Sequence, residues 1–178
     1  MVKKGETLPD RDFAINLLIT LNIQRSIRRH SEKVADKALE IANKITKANV
    51  DKNLIEIGSI LHDIGRSKNH GLTHALLGGK ILKERGFSEK LARICETHLL
   101  GGIDKEDAKE FGLPEKDYLP ISLEEKIICL ADKLIAGTKE VSLDERFDKW
   151  FSKFGQSSIL IKSKRRIEKI QNELESLM

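Results

Sequence analysis

The sequence predicts an all-α protein, a compact array of seven or eight helices. Apolar residues recur every three or four positions through most of the chain, and Ser or Asp capping signals stand ahead of several of those runs. No segment alternates apolar and polar residues as a half-buried strand would. Composition agrees. Aromatics make up 4% of the residues, and the apolar content is mostly Ile, Leu and Ala beside abundant Lys and Glu. That mix suits amphipathic helices better than a β-sandwich. With 178 residues the chain has room for one real core and would be cramped as two domains, so residues 1–178 are taken as a single domain.

The elements follow in order. Asp10, after Pro9, caps a first helix that carries Phe13, Leu17, Leu18 and Leu21 at helical spacing. Residues 26–48 place Ile27, Val34, Ala38, Ile41, Ala42 and Ile45 on one stripe, with His30 four residues before Val34. Asp51 caps "DKNLIEIGSILHDIG", which is expected to end near Gly65 with His62 and Asp63 in its last turn. Residues 66–72 are expected as a loop, and a fourth helix runs from about Thr73 to Arg85, stopping at Gly86. Ser88 caps the fifth, "SEKLARICETHLL". Gly, Asp and Pro punctuate residues 101–121, a long connection with one short helical turn. Ser122 and Ser142 each open an S-x-x-E capping box. The last helix spans about 157–177 and carries Ile159, Ile167, Ile170, Leu174 and Leu177; it packs on its own core or, in the alternative, forms the seam of a homodimer.

Composition and charge exclude several classes. The net charge is only +4, from 32 basic and 28 acidic residues that are interleaved. The densest basic cluster, "KSKRR" at 162–166, is read as a solvated helix face; it lacks the interleaved aromatics that stack single-stranded bases, which weighs against a nucleic-acid partner. Cys95 and Cys129 show no paired spacing, so a reduced, cytoplasmic setting fits. The basic start "MVKK" is not followed by a signal-peptide core, and no run approaches the roughly 20 apolar residues of a membrane span.

Chemistry is expected from His30, His62, Asp63, His74, His98 and Asp132. Most adjoin an apolar stripe: Leu61 precedes His62, Ile94 precedes His98 by four, and Ile128 precedes Asp132 by four. Such groups at the edge of a buried stripe are costly unless paired or metal-bound. Six of them spread over five helices can converge where facing helices build metal sites. Cys95 and Cys129 each precede a candidate ligand by three residues, but a buried cysteine usually packs as a small hydrophobe, and that reading is preferred.

His30, the "HD" at 62–63 and Asp132 in "LADK" match the H…HD…D signature of the HD-domain metal-dependent phosphohydrolases, which the chain resembles. "ILHDIGR" points to the HDIG subgroup. "HALLGGKIL", "ARICETHLLGGI" and "LEEKIICLADKLIAG" are similar to small stand-alone archaeal members, and also to bacterial members that cleave diadenosine tetraphosphate symmetrically. The resemblance covers about residues 25–137, leaving an N-terminal helix and a helical extension over 142–177. It implies the multi-helix HD-domain fold. It also implies that His30, His62, Asp63 and Asp132 hold one metal while Asp63 bridges to a second held by His74 and His98. His70 is set at the edge of the site as a phosphate contact.

Mixed nitrogen and oxygen ligands without thiolate suit divalent Fe, Mn, Co, Ni or Zn. Two such ions would acidify a water and clamp phosphoryl oxygens. Arg66 and Lys133, next to ligands in sequence, are the candidates to offset phosphoryl charge, with Arg29 a weaker one. Asp63, Arg66 and Lys133 are therefore the expected catalytic group, and Arg66, His70 and Lys133 the substrate contacts. The expected activity is hydrolysis of a phosphate ester or anhydride of a nucleotide or related small molecule. The alternatives are a diiron oxygenase on the same fold, or a nucleotide-binding signalling module without catalysis.

Overall fold

The structure is a computed structural model and describes residues 8–178. The basic start of the chain lies outside the described residues. Nine α-helices are present among these: α1 (Arg11–Thr20), α2 (Arg25–Lys44), α3 (Lys52–Leu61), α4 (His74–Glu84), α5 (Glu89–Thr97), α6 (Lys105–Glu110), α7 (Leu123–Leu134), α8 (Leu143–Phe154) and α9 (Ser158–Ser176). Two 3₁₀ turns, Ile64–Ser67 and Leu99–Gly101, follow α3 and α5. A short antiparallel hairpin, β1 (Ile135–Ala136) and β2 (Lys139–Glu140), follows α7, with Ile135 opposite Glu140. The protein is all-α apart from that hairpin, which is too short to show an alternating pattern in the sequence.

The helix starts are set by local chemistry. Asp10, Asp51, Ser88 and Ser122 each accept a hydrogen bond from the backbone N–H three residues on. Ser142 and Glu145 complete a reciprocal capping box. At Ser122 the box is half made: Glu125 accepts the Ile121 N–H at 2.9 Å in place of the Ser122 N–H, together with Arg93 Nε and Nη2 at 2.9 and 3.0 Å.

The main core gathers Val34, Ala35 and Ala38 of α2, Ile57, Ile60 and Leu61 of α3, Ile94 of α5 and Ile127 to Ala131 of α7, all nearly solvent-free. Phe147 of α8 and Ile167, Ile170 and Leu174 of α9 join the same cluster. The last helix therefore buries its apolar stripe within its own chain. Its basic cluster is engaged there too: Lys162 reaches Asp107 at 2.8 Å, Lys164 reaches Asp144 at 2.9 Å, and Arg166 reaches Asp107 at 2.9 Å. The 101–121 connection carries a satellite core of Ile103, Ala108, Leu113 and Tyr118, closed by a two-residue bridge between Ile103 and Tyr118. No helix among the described residues is long and apolar enough to cross a membrane.

α3 ends earlier than its pattern suggests. His62 is its C-cap and Asp63 leads the 3₁₀ turn. The reason is crowding. A Cβ on Gly65 would lie 1.9 Å from the His74 carbonyl oxygen and 2.6 Å from the Gly78 nitrogen. The turn thus presses its backbone against the first turn of α4, which only glycine permits. That contact sets Asp63 beside His74.

Candidate metal centre

Four histidines and two aspartates meet at one end of the α2, α3, α5 and α7 packing. His62, Asp63, His74 and His98 are buried, while His30 and Asp132 sit at the rim. Each imidazole is oriented by the same device. Its Nδ1–H donates to a backbone carbonyl: His30 to Gly137 at 2.9 Å, His62 to Ser59 at 2.7 Å, His74 to Gly71 at 2.6 Å and His98 to Cys95 at 2.7 Å. A carbonyl can only accept, so the proton is on Nδ1 and, in a neutral ring, Nε2 is left as a bare lone pair.

Those lone pairs converge on the carboxylates and on each other. Nε2 of His74 lies 3.0 Å from Asp63 Oδ1, and Nε2 of His98 lies 3.5 Å from the same oxygen. His62 Nε2 is 3.6 Å from Asp63 Oδ2 and 3.6 Å from Asp132 Oδ1. His30 Nε2 is 2.9 Å from Asp132 Oδ1. The Nε2 atoms of His74 and His98 face one another at 3.3 Å. His62 Nε2 and Asp63 Oδ1 are buried without a hydrogen-bond partner. So many acceptors packed together are repulsive unless cations lie among them. The donor set fits divalent transition metal, with imidazole and carboxylate ligands each held by an outer hydrogen bond. Ligand atoms fall into three overlapping groups, His30–His62–Asp63, His62–His98–Asp132 and Asp63–His74–His98, each spanning no more than 4.8 Å.

The electrostatics agree. Burial opposes ionisation of Asp63, yet the His62 charge and the His74 and His98 contacts hold its carboxyl well below the usual range. Burial likewise opposes Asp132, but Lys133, His30 and His62 bring it well below. For His62, burial pushes downward and is outweighed by Asp63 and Asp132, so its Nε2 attracts a cation, whether a proton or a metal ion in its place. His98 is pushed down to about 4 by burial, and stays neutral. The thiols take no part. Cys95 donates to the Leu61 carbonyl and Cys129 to the His98 carbonyl, and burial raises Cys129 to about 11 and Cys95 higher still.

Four residues of the centre, His30, Asp63, His98 and Asp132, line a cavity of about 380 Å³, with His62 and His74 packed behind them. Arg66 lines it, with Nε 2.7 Å from Asp63 Oδ2. Lys133 lines it too, buried, donating to the His98 carbonyl at 3.0 Å and paired with Asp132. His70 is exposed on the loop before α4; its carbonyl accepts weakly from Arg66, and its side chain is not among the residues lining the cavity. Arg29 lies in a separate surface recess. Sequence reasoning missed Arg146 and Trp150, both on the cavity wall. Arg146 donates to the carbonyls of Asp132, Lys133 and Ile135, closing the end of α7 that bears Asp132. Its signal was present in "RFDKW", a cation four residues before a tryptophan on one helix face, but that stretch lies outside the region of resemblance.

The family model described as HD domain matches residues 27–137. An uncharacterized protein of Methanocaldococcus jannaschii is 44% identical over 170 residues, covering 94% of this chain and 99% of that protein. Two proteins named tRNA (cytidine(56)-2'-O)-methyltransferase, from Picrophilus torridus and Thermoplasma volcanium, are each 36% identical, over 96% and 85% of this chain. The chain spans 48% and 44% of their lengths, about half of each. Among solved structures, the HD domain of the L. monocytogenes phosphodiesterase PgpH in complex with cyclic-di-AMP superposes with a TM-score of 0.55 at 19% identity, covering 97% of this chain and all of that one. At that identity the likeness is one of fold.

Proposed function

The chain belongs to the HD domain family, and from that premise we propose that it is a metal-dependent phosphohydrolase with a dinuclear centre, acting on a phosphoester of a nucleotide. The observation that carries this reading is the convergence of four imidazole nitrogens and two carboxylates beside an open cavity that His30, Asp63, His98 and Asp132 line. His30, His62, Asp63 and Asp132 would hold one ion, and Asp63, His74 and His98 a second. Divalent Fe, Mn, Co, Ni or Zn bound there would supply an acidified water as nucleophile and positive charge for phosphoryl oxygens.

The chain's own groups do the rest. Arg66, anchored on Asp63 and touching the His70 carbonyl, lines the cavity, where its free N–H groups would receive a phosphate oxygen. Lys133, held by Asp132 and the His98 carbonyl, adds a buried cation to the cavity lining. Trp150 offers the cavity an aromatic edge for a base. The relatives named as tRNA methyltransferases favour RNA as the setting of the reaction. The donor cluster itself is suited to phosphoester cleavage rather than methyl transfer.

Purified protein should cleave bis(p-nitrophenyl) phosphate, and members of a nucleotide panel, when supplied with Mn, Co, Ni, Fe or Zn. Asp63→Ala should abolish that activity, since it removes the carboxylate shared by both ligand groups. Full activity in Asp63→Ala, or silence of the wild type across the panel with every metal, would overturn the reading.

A further inference from the structure

A second recess adjoins the metal cavity. It has a volume of about 650 Å³, runs beside α8 and the hairpin, and shares Gly137, Arg146 and Trp150 with the cavity wall. The two spaces thus lie on either side of, and share, one wall, and together they mark out a trough beside α8. Basic and aromatic residues are interspersed along it: Lys139 from the hairpin, then Lys149, Trp150, Lys153 and Phe154 from α8, beside Arg146, whose guanidinium is taken by the carbonyls at the end of α7.

Of the two aromatics Phe154 is presented to solvent, while Trp150 is partly buried against the core and lines both spaces. Phe154 is 61% exposed, and the Lys153 ammonium stands 5.1 Å from its ring centre. The Arg146 guanidinium stands 5.4 Å from the ring centre of Trp150, four residues earlier on the same face. The acidic residue of the lining, Glu145, is engaged in the capping box, where it accepts from the Ser142 nitrogen at 2.7 Å. A basic groove with aromatic platforms is how single strands are held, phosphates on the cations and bases on the rings. The "KSKRR" cluster has neither property: it lacks aromatics, and Lys162, Lys164 and Arg166 are paired within the chain.

We propose that this trough binds a single-stranded nucleic acid and leads it to the metal centre, so that the substrate is a strand rather than a free mononucleotide. The inference rests on the phosphohydrolase reading for what happens at the centre, while the binding itself stands on α8.

The test is fluorescence anisotropy with a labelled eight-nucleotide uridylate and its deoxythymidylate counterpart, in EDTA so that no turnover occurs, with uridine monophosphate as competitor. At least one octamer should bind ten times more tightly than the monophosphate, and the pair tells RNA from DNA. Lys149→Gln/Lys153→Gln should flatten the log–log salt slope by about 1.4, roughly 0.7 for each lost phosphate contact. Phe154→Ala, at an exposed site where folding is not at stake, should weaken binding at least fivefold. Lys164→Gln/Arg165→Gln on α9 should bind as wild type. Equal binding of octamers and monophosphate would overturn the proposal, as would wild-type affinity in both α8 variants or a loss confined to the α9 variant. If bis(p-nitrophenyl) phosphate is cleaved but no octamer is preferred, this inference falls and the hydrolase reading stands. If the octamers bind as described and no ester is cleaved with any metal, the hydrolase reading falls and the trough stands.

Discussion

The two oxygens of Asp63 face different partners. Oδ1 meets His74 and His98, while Oδ2 meets His62 and Arg66. That division is what a bridging carboxylate requires, and it makes the two ligand groups separable. His74 belongs to one group only, whereas His62 belongs to the other two. His74→Ala should therefore lower the metal content from two ions per chain to one, with the protein still folded, as read by elemental analysis after dialysis. A content that stays at two, or falls to none, would contradict the assignment. The ligand residue types were legible along the chain because imidazole and carboxylate beside an apolar stripe are costly without a cation. The roles of Arg66 and His70 were not, since adjacency in sequence says nothing about which of two loop side chains turns inward. Arg66 turns to Asp63, and His70 faces solvent.

At the scale of elements, the site depends on how α5 and α7 are held together, because His98 ends the one and Asp132 lies near the end of the other. A two-pronged Arg93–Glu125 pair ties them, and Glu125 is nearly buried at 7% side-chain exposure. Arg93→Ala would leave that carboxylate buried with only the Ile121 N–H as partner, a cost of about 3 kcal/mol, the low end for a stranded buried charge. Arg93→Met/Glu125→Leu should lose much less, because it removes both charges together. Urea unfolding of the two variants checks this, and equal losses would show that the pair's attraction, not the stranded charge, sets the cost. The helix starts were legible because a cap is a local bond. Glu125 shows the limit: its S-x-x-E spacing promises a reciprocal bond to the Ser122 N–H, and a guanidinium from another helix shifts the carboxylate onto the Ile121 N–H instead.

For the whole molecule, the candidate metal centre is a joint product of segments far apart in the chain, so ions bound there should stabilise the fold globally. Metal at about 100 times its dissociation constant adds roughly 2.7 kcal/mol. For a chain of this size each kcal/mol raises the melting temperature by about 2–4 °C, so a shift of roughly 5–11 °C is expected. Differential scanning fluorimetry in EDTA and in excess Mn measures it, and the shift should vanish in Asp63→Ala. An equal shift in that variant would place the stabilising ion elsewhere. The matched family region ends at residue 137, yet α8 supplies Arg146 and Trp150 to the cavity wall, and α9 packs Ile167 against Gly101 beside His98. The C-terminal extension is thus part of the site as well as of the core.

Helix order, most caps, the six candidate ligand residues and the buried stripe of the last helix follow from local rules: spacing of apolar side chains, short-range hydrogen bonds and the cost of a polar group at a buried edge. These act over a few residues and so can be seen in one dimension. The described residues hold nine helices where seven or eight are expected, because the short turn expected within 101–121 is the six-residue α6. The close approach that demands Gly65, the choice of Glu125's partner, the arginine that closes α7 and the trough along α8 depend on contacts between distant segments. Their energies exist only once the helices have packed, and it is packing that turned scattered histidines into one centre and gave it a wall.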